Sequence, residues 1–116
     1  MALTRDFKQT ILERVKRDPA FAKALLDEAT SLFLNGESEP ARMILRDLVN
    51  ATIGFENLAV AINTPPKSLH RMLSERGNPS MDNLASILRA VCKNLNVKIE
   101  ITVVDTSKKK KVLASS

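Results

Sequence analysis

Apolar side chains recur at three- and four-residue intervals along most of this chain, and the pattern is broken at short stretches rich in Asp, Asn, Gly and Pro. Phe7, Ile11, Leu12 and Val15 make a first helical stripe, with Thr4 placed to cap it. Asp18-Pro19 restarts the chain as a cap followed by a first-turn proline. Phe21, Ala24, Leu25, Ala29, Leu32 and Phe33 line a second helix, which Asn35-Gly36 ends as a left-handed stop. Ser38 or Glu39, followed by Pro40, opens a third helix with Met43, Ile44, Leu48 and Val49 inward, and Gly54 closes it. A last helix starts from Ser80 as cap, with Asp82 suited to the helix dipole and Leu84, Ile87, Leu88, Val91 and Leu95 toward the core.

The segment from Phe55 to Leu73 reads as two short helices around one tight turn. Leu58, Ala59 and Ile62 give the first an apolar face, and Ala59 is small enough for a second helix to cross closely. Asn63 tolerates positive φ, Thr64 can cap a new helix through its hydroxyl, and Pro65 suits a first helical position. Leu69, Met72 and Leu73 then resume the stripe, which turns Lys67, Ser68, His70 and Arg71 outward. Crossed helices with a basic second member have the geometry of a helix-turn-helix DNA reader.

After the last helix the period changes. Val97, Ile99, Ile101 and Val103 alternate with Lys98, Glu100, Thr102 and Val104, a half-buried strand pattern over residues 97–104. A lone strand cannot satisfy its own N–H and C=O groups. It therefore calls for a partner, either the same strand of a second copy in a homodimer or a strand of another protein; the alternative is an irregular segment laid over the helices.

A length of 116 residues suits one domain with a modest core. The expected architecture is mainly α: a single helical domain over residues 1–104, with the helix-turn-helix at 55–75 and the strand at 97–104, then a basic flexible tail at 105–116. No apolar run is long enough to cross a bilayer, and the first residues carry no signal-peptide core, so a cytoplasmic protein without a membrane partner is expected. The net charge is +5, and it is unevenly placed. Residues 1–54 carry 8 Lys and Arg against 8 Asp and Glu, whereas residues 55–116 carry 10 against 5, four of the ten being the Lys108–Lys111 run. The basic excess thus falls in the half that holds the suspected reader.

With these residues in view, the sequence resembles the lambda-repressor-like (XRE-type) helix-turn-helix family, and within it the addiction-module antidote proteins, the HigA-like antitoxins. The residues that carry the resemblance are Leu58-Ala59, Asn63, Leu69 and Asn78-Pro79-Ser80, together with the run Val49 to Glu56 and the run Thr64 to Leu69. It covers the chain from Phe7 to about Val103 and is strongest from Asn50 to Leu88. The resemblance implies a five-to-six-helix domain that binds a palindromic operator on double-stranded DNA as a homodimer and represses its own promoter. It also implies a partner, a RelE/HigB-like toxin that cleaves messenger RNA on the ribosome. The recognition helix would run from Pro65 to about Ser74, with Pro66, Lys67, Ser68 and Arg71 at base-edge positions. Thr64, His70, Arg76 and Asn78 would lie along phosphates. The toxin contact falls on the N-terminal helices or on the strand at Val97, Ile99, Ile101 and Val103, and the sequence does not choose between them.

The chemistry of the residues agrees with this division. Lys67 and Arg71 lie four apart and share one helix face opposite the apolar stripe. Arg71 could offer two donors to guanine O6 and N7, while Lys67 is a point charge for a base or a phosphate. Ser68 could equally support the helix start. Arg76 and Asn78 suit positioning on phosphate, or simply an ordinary turn shaped by Gly77 and Pro79. The single histidine and single cysteine, His70 and Cys92, supply neither a metal site nor an intramolecular disulfide, and Cys92 falls in an apolar stripe as a small hydrophobe. No nucleophile–base pair and no Gly-rich phosphate loop is present, which argues against an enzyme and against a bound cofactor. Two other readings stay open: a toxin-independent, phage-repressor-like regulator, and a protein-interaction module that has lost DNA. Phe55 and Pro66 speak for the last, because both depart from a polar DNA-facing surface.

Overall fold

The computed structural model describes residues 2–107, with side chains from residue 9 onward; of the expected tail at 105–116 only residues 105–107 are described, 106–107 being helical, and the Lys108–Lys111 run lies with the rest outside the described residues. The protein is mainly helical. Among the described residues six helices follow one another: α1 (Ala2–Arg17), α2 (Pro19–Leu34), α3 (Ser38–Ala51), α4 (Phe55–Ala61), α5 (Pro66–Met72) and α6 (Met81–Leu95). Among the described residues no helix is long and apolar enough to cross a membrane.

Local chemistry sets most helix ends. The Asp18 carboxylate accepts from the Ala20 N–H at 3.1 Å, and Pro19 takes the first helical position of α2, where a missing N–H costs nothing. The guanidinium of Arg14 lies 4.4 Å from the centre of the Phe21 ring, which ties α1 to α2 across that corner. At the far end of α2 the left-handed residue is Gly36 (φ 89°), and Asn35 instead closes the helix with an extra side-chain bond to the Ser31 carbonyl at 2.8 Å. Ser80 accepts from the Asn83 N–H at 3.1 Å at the start of α6, as its spacing from Asn83 requires.

Two starts differ from expectation. Helix α1 already runs from Ala2, so Thr4 sits inside it rather than capping it. Helix α3 begins at Ser38 with Glu37 in the cap position and no side-chain cap bond, so neither Ser38 nor Glu39 plays that role. A three-residue turn is short enough to fold α3 back along α2, and the two helices pack extensively. Small residues let them approach: Ala22, Ala29 and Ala41 are essentially without solvent contact.

The core gathers one stripe from every helix. Val15, Leu26, Leu45, Leu48, Val49, Leu58, Leu69, Leu73, Ile87 and Val91 are among its buried members, with Leu84, Leu88, Cys92 and Leu95 packed against them half-buried. Burial raises the Cys92 thiol above its ordinary pKa, as expected of a sulfur that packs among apolar side chains.

Residues 97–104 do not form the expected strand. Helix α6 stops at Asn96, which takes a left-handed conformation (φ 59°, ψ 47°), and residues 97–105 follow without regular secondary structure. Val97 and Ile99 pack on the core, Lys98 and Glu100 point outward, and the alternation then lapses, because Ile101 and Val103 are both exposed. The physical reason is the one that made a lone strand doubtful from the outset: a ladder needs a second backbone, and among the described residues of one chain none lies alongside.

Candidate nucleic-acid interface

The basic face is built on two helices of seven residues each, too short to be stable on their own. Gly54 leads into α4 with φ 82°, and its N–H donates to the Val49 carbonyl at 2.7 Å. Helix α4 buries Phe55, Leu58 and Ala59. At its end Asn63 takes φ 53°, the left-handed geometry its side chain tolerates, and the Thr64 N–H closes back to the Ala59 carbonyl at 3.0 Å.

The entry into α5 is one residue later than expected. Pro65, not Thr64, occupies the cap position, with an extended ψ of 142°, and Pro66 takes the first helical place. The carbonyl of Pro65 accepts from the N–H groups of both Ser68 and Leu69. Thr64 turns its hydroxyl backward onto the Ile62 carbonyl at 3.2 Å. Pro65 preceding Pro66 explains the shift, since a residue before proline is pushed into extended backbone and cannot be helical itself.

Helix α5 is anchored by Leu69, and by Leu73 just past its end; both are fully buried. Lys67, His70 and Arg71 are exposed on the remaining surface, with Pro66 and Ser68 half-buried beside them. Among the described residues neither Lys67 nor Arg71 forms an ion pair, and α5 itself carries no carboxylate. Arg76 and Asn78 are exposed on the loop that follows, and Thr64 is half-buried in the turn that precedes. The residues expected to meet nucleic acid are thus exposed or half-buried along the turn, α5 and the loop, with Glu56 and Glu75 as the exposed carboxylates nearest in sequence.

Three contacts hold this unit, and sequence reading had not foreseen them. The Phe55 ring, only 6 % exposed, stacks on His70 with centroids 4.0 Å apart and planes 19° from parallel. Phe55 thus packs under α5, and the stack ties His70, an exposed residue, to the start of α4. Second, Arg42 of α3 is 8 % exposed and reaches across to the end of α5. Its Nε donates to the Ser74 carbonyl at 3.0 Å and a terminal nitrogen donates to the Glu75 carbonyl at 2.8 Å. The buried cation is thereby satisfied by two carbonyls of the turn that follows α5, one of which, that of Ser74, also accepts from the Gly77 N–H at 3.0 Å. The signal was visible: Arg42 stands beside Ala41 at core spacing from Leu45 and Val49, where a charged residue asks for a reason. Third, Gly77 is buried against the same helix end, and a Cβ placed there would fall 2.5 Å from the Arg71 carbonyl oxygen, so only glycine lets the loop pass.

Comparison with known protein families, with curated proteins and with solved structures returned no match.

Proposed function

We propose that this protein is a sequence-specific DNA-binding transcriptional regulator that inserts α5 into the major groove. The observation that carries the reading is the exposed, acid-free basic face of α5, mounted on buried Leu69 and Leu73 and braced from α3 by Arg42. A groove-reading helix needs this combination: a short rigid element whose inward face is committed to the core and whose outward face carries donors. Arg71 and Lys67 are the base-edge candidates, Ser68 and Pro66 line the same surface, and Thr64, His70, Arg76 and Asn78 position the protein on phosphates. Phe55, buried against His70, and Pro66 are the two departures from a polar DNA-facing surface, and they favour the second reading, a module that has lost DNA.

In its narrower form the proposal is an antitoxin that represses its own operon, as a homodimer on a palindromic operator, and neutralises a RelE/HigB-like toxin. This form is supported by the sequence resemblance carried by Leu58-Ala59, Asn63, Leu69 and Asn78-Pro79-Ser80.

Binding to DNA from upstream of its own gene, followed across a salt series, tests the reading. Affinity falls steeply with salt, because phosphate contacts release counterions. Arg71→Ala costs about 1–3 kcal/mol and relaxes sequence preference, while Lys67→Ala weakens binding and flattens the salt dependence. Salt-insensitive or absent binding would end the DNA reading. The toxin is tested separately, by whether co-expression of the neighbouring open reading frame is tolerated only when this chain is present.

A further inference from the structure

The segment after α6 ends in a combination that one chain leaves incomplete. Among the described residues, nothing pairs the backbone N–H and C=O groups of residues 98–104. Its apolar side chains become more exposed along its length: Ile99 is half-buried, Ile101 is 63 % exposed and Val103 is 92 % exposed. An apolar groove of about 350 Å³ opens beside Ile99 and Ile101 between α2 and α6, walled by Phe33, Leu34, Met81 and Leu88. Leu34 and Met81 are themselves 60 % and 75 % exposed, so groove and segment form one continuous uncovered apolar surface.

We propose that residues 98–104 pair antiparallel with the same segment of a second copy of this chain, in a register centred on Ile101. The segment is complementary to itself in this register. Residues directly opposite in an antiparallel pair share a face, so Ile101 meets its own counterpart and Ile99 meets Val103 of the second copy. On the other face Glu100 meets Thr102 and Lys98 meets Val104, which keeps like charges from standing directly opposed. A register centred on Glu100 would oppose two carboxylates, and one centred on Ile99, although it sets Lys98 opposite Glu100, would leave the exposed Ile101, Val103 and Val104 without counterparts in the segment. Centring on Ile101 also sets each exposed Val103 beside the other copy's Ile99, at the edge of the groove. The interface is isologous, with two symmetric copies of every contact. It stands on backbone pairing and apolar burial, so it does not depend on the DNA-binding reading.

Sedimentation of the full chain across a concentration series, combined with cross-linking, tests the proposal. The chain sediments as a dimer. In a Cys92→Ser background, Ile101→Cys oxidises to a covalent dimer, because the two residues face each other across the two-fold axis. Val103→Cys, whose counterpart is four residues away along the ladder, cross-links far less. Ile101→Asp raises the dimer dissociation constant about 100-fold or more, since both copies lose a central apolar contact. Ile101 is largely exposed in the single chain, so this variant keeps the helical circular dichroism of the parent; should it fail to fold, the cross-linking pair decides the matter. A chain that stays monomeric at every concentration overturns the proposal, whether or not a strand of another protein pairs with it. So does a dimer that survives Ile101→Asp, or one that cross-links equally through residues 101 and 103.

Discussion

Helices α2 and α3 bury their stripes against each other over sixteen and fourteen residues, whereas α4 and α5 are seven residues each and hold their places through contacts that other elements make. In the first pair stability comes from area: Leu26, Leu45, Leu48 and Val49 have at most 2 % of their surface exposed. In the second it comes from a few particular contacts, namely Leu69 and Leu73 inserted into the core, the Phe55–His70 stack and the Arg42 clamp on Ser74 and Glu75. The difference shows how a small domain can present a helix with most of its surface in solvent. A helix that buried a full stripe would have little face left to offer a partner, while one with two anchors and a clamp keeps its outer side free.

This contrast can be broken at either side. The largest effect is expected from Leu45→Ala, which opens a cavity at the centre of the α2–α3 pair and lowers global stability by about 2–5 kcal/mol in denaturant unfolding. All helices melt together in that variant, α5 included.

Arg42→Met is expected to be smaller and local. Losing two charge-assisted bonds costs about 1–3 kcal/mol. Hydrogen exchange quickens at the α5 end and in the loop at 74–77, while amides in the middle of α2 keep their protection relative to global unfolding. Arg42→Lys recovers only part of the loss, because an ammonium lacks the planar fork that reaches two neighbouring carbonyls. Equal acceleration of exchange in α2 and α5 would show that the clamp serves the whole fold and not the presented helix.

The smallest effect is assigned to His70→Ala, which removes a stacked pair worth about 0.5–1.5 kcal/mol. Phe55→Leu combined with His70→Ala should cost less than the two changes made separately, and a double-mutant cycle reads that coupling directly. Strict additivity would mean that the two rings merely lie near each other.

The helices themselves were largely legible, because their signals are local. Asp18-Pro19 and Ser80 act where their spacing placed them, Asn63 takes the left-handed geometry its side chain tolerates, and the stripe residues Val15, Leu48, Leu69, Ile87 and Val91 lie in the core. The errors were equally local in kind. Thr64 looked like a cap by composition, but Pro66 forces Pro65 into extended backbone and moves the helix start by one residue. Asn96 as a left-handed stop went unnoticed, although an asparagine directly after a helical stripe is a recognised signal. At the candidate interface, the basic positions Lys67, His70 and Arg71 could be placed outward from periodicity alone.

The sequence by itself therefore determined a mainly helical chain, the approximate bounds of its helices, and which face of α5 is basic and turned outward. Each follows from interactions between residues a few positions apart. The tertiary structure decided the rest: that Arg42 clamps the turn after α5 some thirty residues away, that Phe55 lies under His70, and that residues 98–104 find no partner backbone among the described residues. Such contacts depend on how the helices cross, and one-dimensional periodicity records which face is buried without recording what it is buried against.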